Sequence, residues 1–207
     1  TFNNMKKFLL ILLACFSMSS ANNQVIQPAS QDFEVSASLY PWDVHDEGIN
    51  LMLDNLTGMS GVNSVYLISV MHQEHRPFLG PKELGPWLYP HNPARREYNI
   101  EHSRAYFKPQ LDLYGKIKPM LSGLDWLNDT DWLKIVVDAA RARGLKVGAE
   151  VSHTYIPMEI LEAHPEYQQR DLNGKLRATP CPNDPDVREY LQALYYDIAK
   201  NYDIDYI

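Results

Sequence analysis

The sequence predicts an α/β protein in which parallel strands alternate with helices. Four apolar, β-prone runs carry this prediction, at 33–40, 62–70, 145–151 and 204–207, and amphipathic segments separate them. Strands that are apolar nearly throughout are typical of a parallel sheet covered by helices. Such a sheet either closes as an eight-stranded (β/α)8 barrel or stays open and doubly wound.

The turn after the first strand favours the barrel. A dinucleotide-binding sheet carries a glycine-rich phosphate turn there, but this chain has Tyr40-Pro41-Trp42-Asp43. Pro41 ends the strand, because proline cannot donate to a sheet ladder. Aromatic and acidic side chains at strand ends suit the mouth of a barrel. We therefore expect residues 32–207 to supply the N-terminal half of a parallel (β/α)8 barrel, truncated after about four strands.

Three amphipathic helices connect the predicted strands, and capping residues set their limits. They cover 49–56, with His45 or Asp46 opening this first helix, 132–143 and 187–202. Gly58 and Gly61 close the first helix, and Asp184-Pro185 opens the third. A short helix over 157–163 and a hairpin over 168–179, with Asn173-Gly174 at its turn, precede the third helix.

Residues 71–128 form an unusually long connection. They contain seven of the prolines and four of the seven histidines of the chain. Connections of this length inside a compact domain are uncommon and usually carry function.

Composition excludes one class of partner. The net charge of −7 argues against nucleic acid, because a duplex binder must neutralise phosphates with Lys and Arg. With 13 Tyr and 4 Trp, the mildly acidic chain suits a neutral, hydroxyl-rich ligand.

The N-terminal segment predicts export. Met5-Lys6-Lys7 and the apolar run over 8–15 form a signal peptide over 5–21, too short to span a bilayer. Two processing routes are open. Cys15 lies in a lipoprotein-type box and would anchor the protein to a membrane once lipidated, or signal peptidase cuts after 19–21. Residues 22–31 are polar and form a tether, and the expected location is the periplasm, the outer-membrane surface or the extracellular space.

Outside the signal peptide only Cys181 remains. An internal disulfide and a zinc site built on cysteine pairs are therefore excluded for the mature chain.

Residues 131–207 resemble the exported glycoside-hydrolase-like (β/α)8 barrels related to the α-amylase group. The ordered matches are Trp132-Leu133, 139–147, 164–167, 173–175, 183–190 and 201–205. The resemblance implies hydrolysis of O-glycosidic bonds in oligo- or polysaccharides, with no cofactor. In this group the fourth strand reads Asp-Gly-aliphatic before a site acid, whereas here Tyr206 follows Asp205. The catalytic carboxylate is therefore expected beyond Ile207.

The candidate substrate-binding residues lie where predicted strands end, since the loops at the carboxyl ends build the site of a barrel. They are Tyr40, Trp42, Asp43, His72, Glu150, His153 and Tyr155. Aromatic faces stack on sugar rings, and acids bind hydroxyl groups or cleave the bond. Each also has a structural interpretation: the aromatics could seal the barrel end, Glu150 could form a buried salt bridge, and His153 could be a hydrogen-bonded structural residue.

Three functions compete for this pattern. The first is a glycoside hydrolase, and the second is a glycan-binding surface lipoprotein that cleaves nothing. The third is a metal-dependent hydrolase that uses His72 and His75 with Glu150 and His153. We also expect the 207-residue chain alone to be neither stable nor catalytic, because four strands leave open edges.

Overall fold

The computed structural model describes residues 33–71, 103–151 and 156–207. The predicted signal peptide, Cys15 and the tether lie outside these residues. The strands are β1 (Ser36–Leu39), β2 (Ser64–Met71), β3 (Arg104–Ala105), β4 (Met120–Leu121), β5 (Lys146–Val151), β6 (Gln168–Arg170) and β7 (Leu176–Pro180). The α-helices are α1 (Pro41–Glu47), α2 (Ile49–Ser60), α3 (Asp125–Asn128), α4 (Trp132–Arg141), α5 (Met158–Ala163) and α6 (Pro185–Asn201). Short 3₁₀ turns cover Leu111–Leu113 and Pro165–Tyr167.

The central sheet is parallel and follows chain order. β1 pairs with β2, and β2 pairs with β5, both in parallel. Tyr206 then makes a parallel bridge to Gly148 of β5. The four predicted strands therefore lie parallel and adjacent in chain order, the last as a single bridge. This confirms the α/β class, although the sheet does not close into a barrel within the described residues.

Two further strands extend the end of β2. β3 runs antiparallel to Val70 and Met71, beyond the point where β1 stops pairing at Leu67. β4 then pairs with β3 in parallel. The prediction treated 71–128 as one connection, and strands of two residues carry no periodic signal that would have revealed them.

One helix prediction was wrong. The segment after β1 forms two helices, because Gly48 adopts a φ of 82° that breaks the helix between Glu47 and Ile49. Gly58 lies inside α2 and does not close it. Gly61 does, in the left-handed conformation that a glycine at this position adopts without strain.

The other predicted boundaries hold to within about two residues, as is usual for helix ends. Asp131 caps α4 by accepting a hydrogen bond from the Lys134 amide at 3.0 Å. Asp184 caps α6 through the amides of Asp186 and Val187. The hairpin is present as β6 and β7.

The core lies on one face of the central sheet. Alternate residues of β2 and β5 point to it: Val65, Leu67, Val147 and Ala149. The three helices that connect consecutive strands bury their apolar sides in this same cluster, through Leu53 of α2, Leu133 of α4 and Leu194 of α6.

The opposite face of the sheet has a different composition. Ser36 and Ser38 of β1 are exposed on it, and Tyr66 of β2 faces Gly148 of β5. Tyr66 does not belong to the core cluster. The sheet is therefore apolar on its helix-covered side and mixed on the other, where Ile68 of β2 is also buried.

Candidate functional site

The carboxyl end of β1 turns directly into α1, and this turn sets the positions of the predicted aromatics. Tyr40 caps α1, and its ring stacks on Trp42 with centroids 4.8 Å apart. Trp42 meets Tyr106 edge to face at 6.1 Å and is fully buried. Tyr40 is only partly buried, whereas Trp42 is buried beneath it. Of the two stacked rings, therefore, Tyr40 is the one that a ligand can contact. Asp43, one residue on, is also partly buried.

Glu150 lies near the carboxyl end of β5, opposite Ile68 of β2. It is exposed, and no described residue forms a hydrogen bond or an ion pair with it. Its side chain lies on the face of the sheet opposite the core, together with Gly148 and Ile68. Within the described residues, therefore, the salt bridge that the structural interpretation requires is not formed.

Three of the predicted site residues, His72, His153 and Tyr155, lie outside the described residues. Their position at the same end of the sheet as Tyr40 stays a prediction. His75, which the metal hypothesis needs, also lies outside. Among the residues that the structure describes, no three His, Cys, Asp or Glu side chains are grouped so as to hold a metal ion.

A buried arginine near the same end was missed by the sequence analysis. Arg104 of β3 pairs with the end of β2, and its side chain is only 6% exposed. Both of its terminal nitrogens donate to the carboxylate of Glu159 in α5, the helix that follows β5. This ion pair joins the connection after β2 to the connection after β5. The two residues are 55 positions apart, and neither forms part of a recognisable motif.

Ser103, beside this arginine, has two unusual features. Its φ is 55°, which few residues other than glycine adopt. Its hydroxyl is buried and has no hydrogen-bond partner among the described residues. Residues held in strained backbone conformations cluster at functional sites, so Ser103 is a further candidate at this end of the sheet.

Charged side chains form ion pairs and hydrogen bonds at the amino end of the sheet. Lys146 donates to Glu34 at 2.8 Å, which lowers the pKa of the carboxyl and raises that of the ammonium. The Asp205 carboxylate accepts from the Val147 amide and from Arg141. Burial opposes ionisation of Asp205, but these donors outweigh it and its pKa lies below the usual range.

Tyr206 crosses the face of the sheet opposite the core. Its ring lies over Gly148, its hydroxyl contacts the Ser64 hydroxyl, and Tyr66 meets it edge to face at 6.4 Å. Burial raises the pKa of Tyr206 to about 12. The hydrogen bonds of Asp205 and the ring of Tyr206 hold residues 203–207 against β5, so the amino end of the sheet has a structural role. The carboxyl end of the sheet is therefore the candidate site.

A scan against protein-family models and a search of curated proteins both found no match to this chain. Among the described residues, no helix has the length and apolar character that crossing a membrane requires.

Proposed function

We propose that this chain belongs to an exported carbohydrate-active (β/α)8 barrel that hydrolyses O-glycosidic bonds. One observation supports a barrel. The parallel strands β1, β2 and β5 follow chain order, and the helices that connect them bury their apolar sides in a single core. A doubly wound sheet needs a reversal of strand order to place helices on both faces. A sheet wound in one direction leaves its second face for the interior of a barrel.

The carbohydrate half of the proposal is supported by the residues at the carboxyl end. Tyr40 offers a partly buried ring that stacks on Trp42, and Glu150 offers an exposed carboxylate on the face of the sheet opposite the core. A few polar groups beside an apolar platform suit a sugar. Cleavage needs two carboxyl groups across the bond, and we expect the second beyond Ile207.

A non-catalytic glycan-binding lipoprotein is the second candidate. It is favoured by Tyr206, which replaces the glycine that the α-amylase-related barrels carry in the fourth strand. Its ring lies over Gly148 on the face of the sheet opposite the core.

The test uses the full-length protein and a panel of neutral and charged oligosaccharides, with affinity and hydrolysis measured on each. Glu150→Gln keeps the shape and removes the charge. Because Glu150 is exposed and forms no hydrogen bond or ion pair with a described residue, the free energy of unfolding of this variant should change by less than about 0.5 kcal/mol. Glycan affinity or turnover should fall at least about tenfold, which corresponds to roughly 1.4 kcal/mol of lost interaction.

Asp138→Asn is the matched control. Asp138 is equally charged and exposed, but it lies on α4 and pairs with Lys134 one turn away. It should leave glycan affinity unchanged. Equal effects of the two substitutions, or no binding to any glycan, would reject the proposal. Binding without turnover would select the second candidate.

Export is proposed with the same function, through the signal peptide over 5–21. Mass spectrometry of the membrane and soluble fractions should find a mature chain that begins at lipidated Cys15 or near Asn22. An exported protein that still carries Met5 would contradict this.

A further inference from the structure

We propose that the β6–β7 hairpin is a binding surface for polyanionic carbohydrate, a glycan that carries carboxylate or sulfate groups. This inference rests on the proposed function and narrows its substrate class. It depends on three exposed cations of the hairpin, Arg170, Lys175 and Arg177.

These cations differ from most others in the described part of the chain. Arg104, Lys116, Lys134, Arg141, Arg143 and Lys146 each pair with a carboxylate. No carboxylate in the described residues forms an ion pair with any of the three hairpin cations. In a chain of net charge −7, this hairpin carries three cations without a carboxylate partner against one acid, Asp171, and such a local reversal of sign favours an anionic ligand.

The carboxylate of Asp171, the acid within the hairpin, forms hydrogen bonds to the backbone of the turn. The Asp171 carboxylate accepts hydrogen bonds from the amides of Asn173 and Lys175, at 2.9 and 3.0 Å. The Arg170 guanidinium donates to the Gly174 carbonyl at 3.0 Å. Asp171 therefore shapes the turn without pairing with its cationic neighbours, and the arginine is held in place.

The base of the hairpin is fixed to the domain. Tyr167 is buried in the core, and its hydroxyl donates to Asp186 in the first turn of α6. Its carbonyl accepts from the Cys181 amide, so the two ends of the hairpin are tied together. Gln168 donates to the Leu161 carbonyl of α5. A fixed hairpin presents its charges at a smaller entropic cost than a mobile loop.

The hairpin belongs to the same end of the sheet as the candidate site. It lies in the connection that leaves β5 after Val151 and enters α6 at Pro185. Helices that follow parallel strands start at the carboxyl ends of those strands, the end where Tyr40 and Glu150 lie. A long glycan bound at that end can therefore extend over the hairpin.

Another polyanion fits less well. An anionic membrane would need apolar residues to insert, and the exposed tip of the hairpin offers only Leu172. Stable membrane binding takes more apolar area than one such side chain supplies. Arginine also matches planar carboxylates and sulfates by paired hydrogen bonds.

The experiment measures binding of the full-length protein to immobilised polygalacturonate, dextran sulfate and neutral dextran at several salt concentrations. The triple variant Arg170→Gln, Lys175→Gln, Arg177→Gln removes the three charges. We expect its affinity for the two charged polymers to fall roughly tenfold, with a weaker salt dependence. Lys108→Gln, Lys118→Gln, Lys200→Gln is the control, because it removes three exposed charges that also lack a carboxylate partner among the described residues. The control should change affinity less than twofold.

Several outcomes would overturn the inference. They are equal losses in the two triple variants, unchanged binding by the hairpin variant, or tighter binding to anionic lipid vesicles or to polyglutamate than to either charged glycan. If the proposed function is wrong, the result differs: the binding of neither neutral nor charged glycans depends on Glu150. Neutral glycan binding that needs Glu150, together with no charged-glycan binding, would reject the hairpin alone.

Discussion

Asp197 is the residue whose removal should destabilise this fold most clearly. It lies on α6 and is fully buried. Its carboxylate accepts from the Gln110 amide at 2.9 Å, the Tyr114 hydroxyl at 2.8 Å and the Asn201 side chain at 2.7 Å. The first two donors belong to the connection between β3 and β4, so one carboxylate holds that connection against α6.

The expected losses follow from these contacts. Tyr114→Phe removes one hydrogen bond to the carboxylate and should lower the free energy of unfolding by about 2 kcal/mol. Asp197→Ala leaves the backbone N–H of Gln110 and the Tyr114 hydroxyl without their acceptor. It should lower the free energy of unfolding by about 4 kcal/mol. The double variant should be no less stable than Asp197→Ala, because it also removes an orphaned hydroxyl.

Tyr190 provides the matched control. Its ring packs 5.9 Å from that of Tyr114, and it is also buried. Its hydroxyl, however, has no hydrogen-bond partner in the part of the chain that the structure describes. Tyr190→Phe should therefore be neutral or stabilising by up to about 1 kcal/mol. Urea unfolding followed by circular dichroism measures all four variants. Strictly additive losses, or a Tyr190→Phe loss equal to that of Tyr114→Phe, would refute the reasoning.

The same tyrosines predict an alkaline limit to stability. Burial raises the pKa of Tyr114 and Tyr190 well above the usual value, and the Asp197 hydrogen bond adds to the effect at Tyr114. Since the folded state holds these protons more tightly, their contribution is complete below about pH 10 and is lost as the pH rises above it. The urea midpoint should fall from about pH 10 upward, and it should fall less steeply in Tyr190→Phe. A midpoint that does not change in this range would contradict the assignment.

Three smaller effects follow from local geometry. Ser103→Gly should stabilise by about 1 kcal/mol, because glycine adopts the φ of 55° freely and the variant loses an unpartnered buried hydroxyl; a loss of stability would show that the hydroxyl has a role in the fold. Gly58→Ala should stabilise by roughly 0.5–1 kcal/mol, since the site is helical and open, and thermal unfolding that shows no gain would refute this. Asp184→Ala should cost about 1 kcal/mol by uncapping α6, and the loss should disappear in an Asp184→Ser variant.

The sequence predicted those parts of the fold that depend on local patterns. The strands at 62–70 and 145–151 are long apolar runs, and their helices carry caps such as Asp131. The strand pairing followed from the alternation of strands and helices. The pair of Arg104 and Glu159 had no such signal, because it depends on tertiary contact between distant connections.

The position of Trp42 shows a different limit. A tryptophan after a strand end can face a ligand or the core, and its residue type does not decide between them. The structure decides through Pro41, which starts α1 at once and places Trp42 under Tyr106. Truncation of Trp42 should therefore unfold the protein before it reveals anything about binding, and Tyr40 is the better site for a binding variant.

Gly148 and Tyr206 provide a test of the proposal that the face of the sheet opposite the core is an interior. A Cβ at Gly148 would collide with the Tyr206 ring and its carbonyl oxygen. Gly148→Ala should therefore cost about 1–3 kcal/mol by overpacking. In a Tyr206→Gly background the ring is gone and only the carbonyl remains close, so most of that cost should disappear. A double-mutant cycle measured by urea unfolding should give a coupling of at least about 1 kcal/mol. A ring that merely rests on a solvated surface would move aside, and the coupling would then be close to zero. A large coupling means that the ring is confined between the strands, as a side chain in the layers of a closed barrel would be.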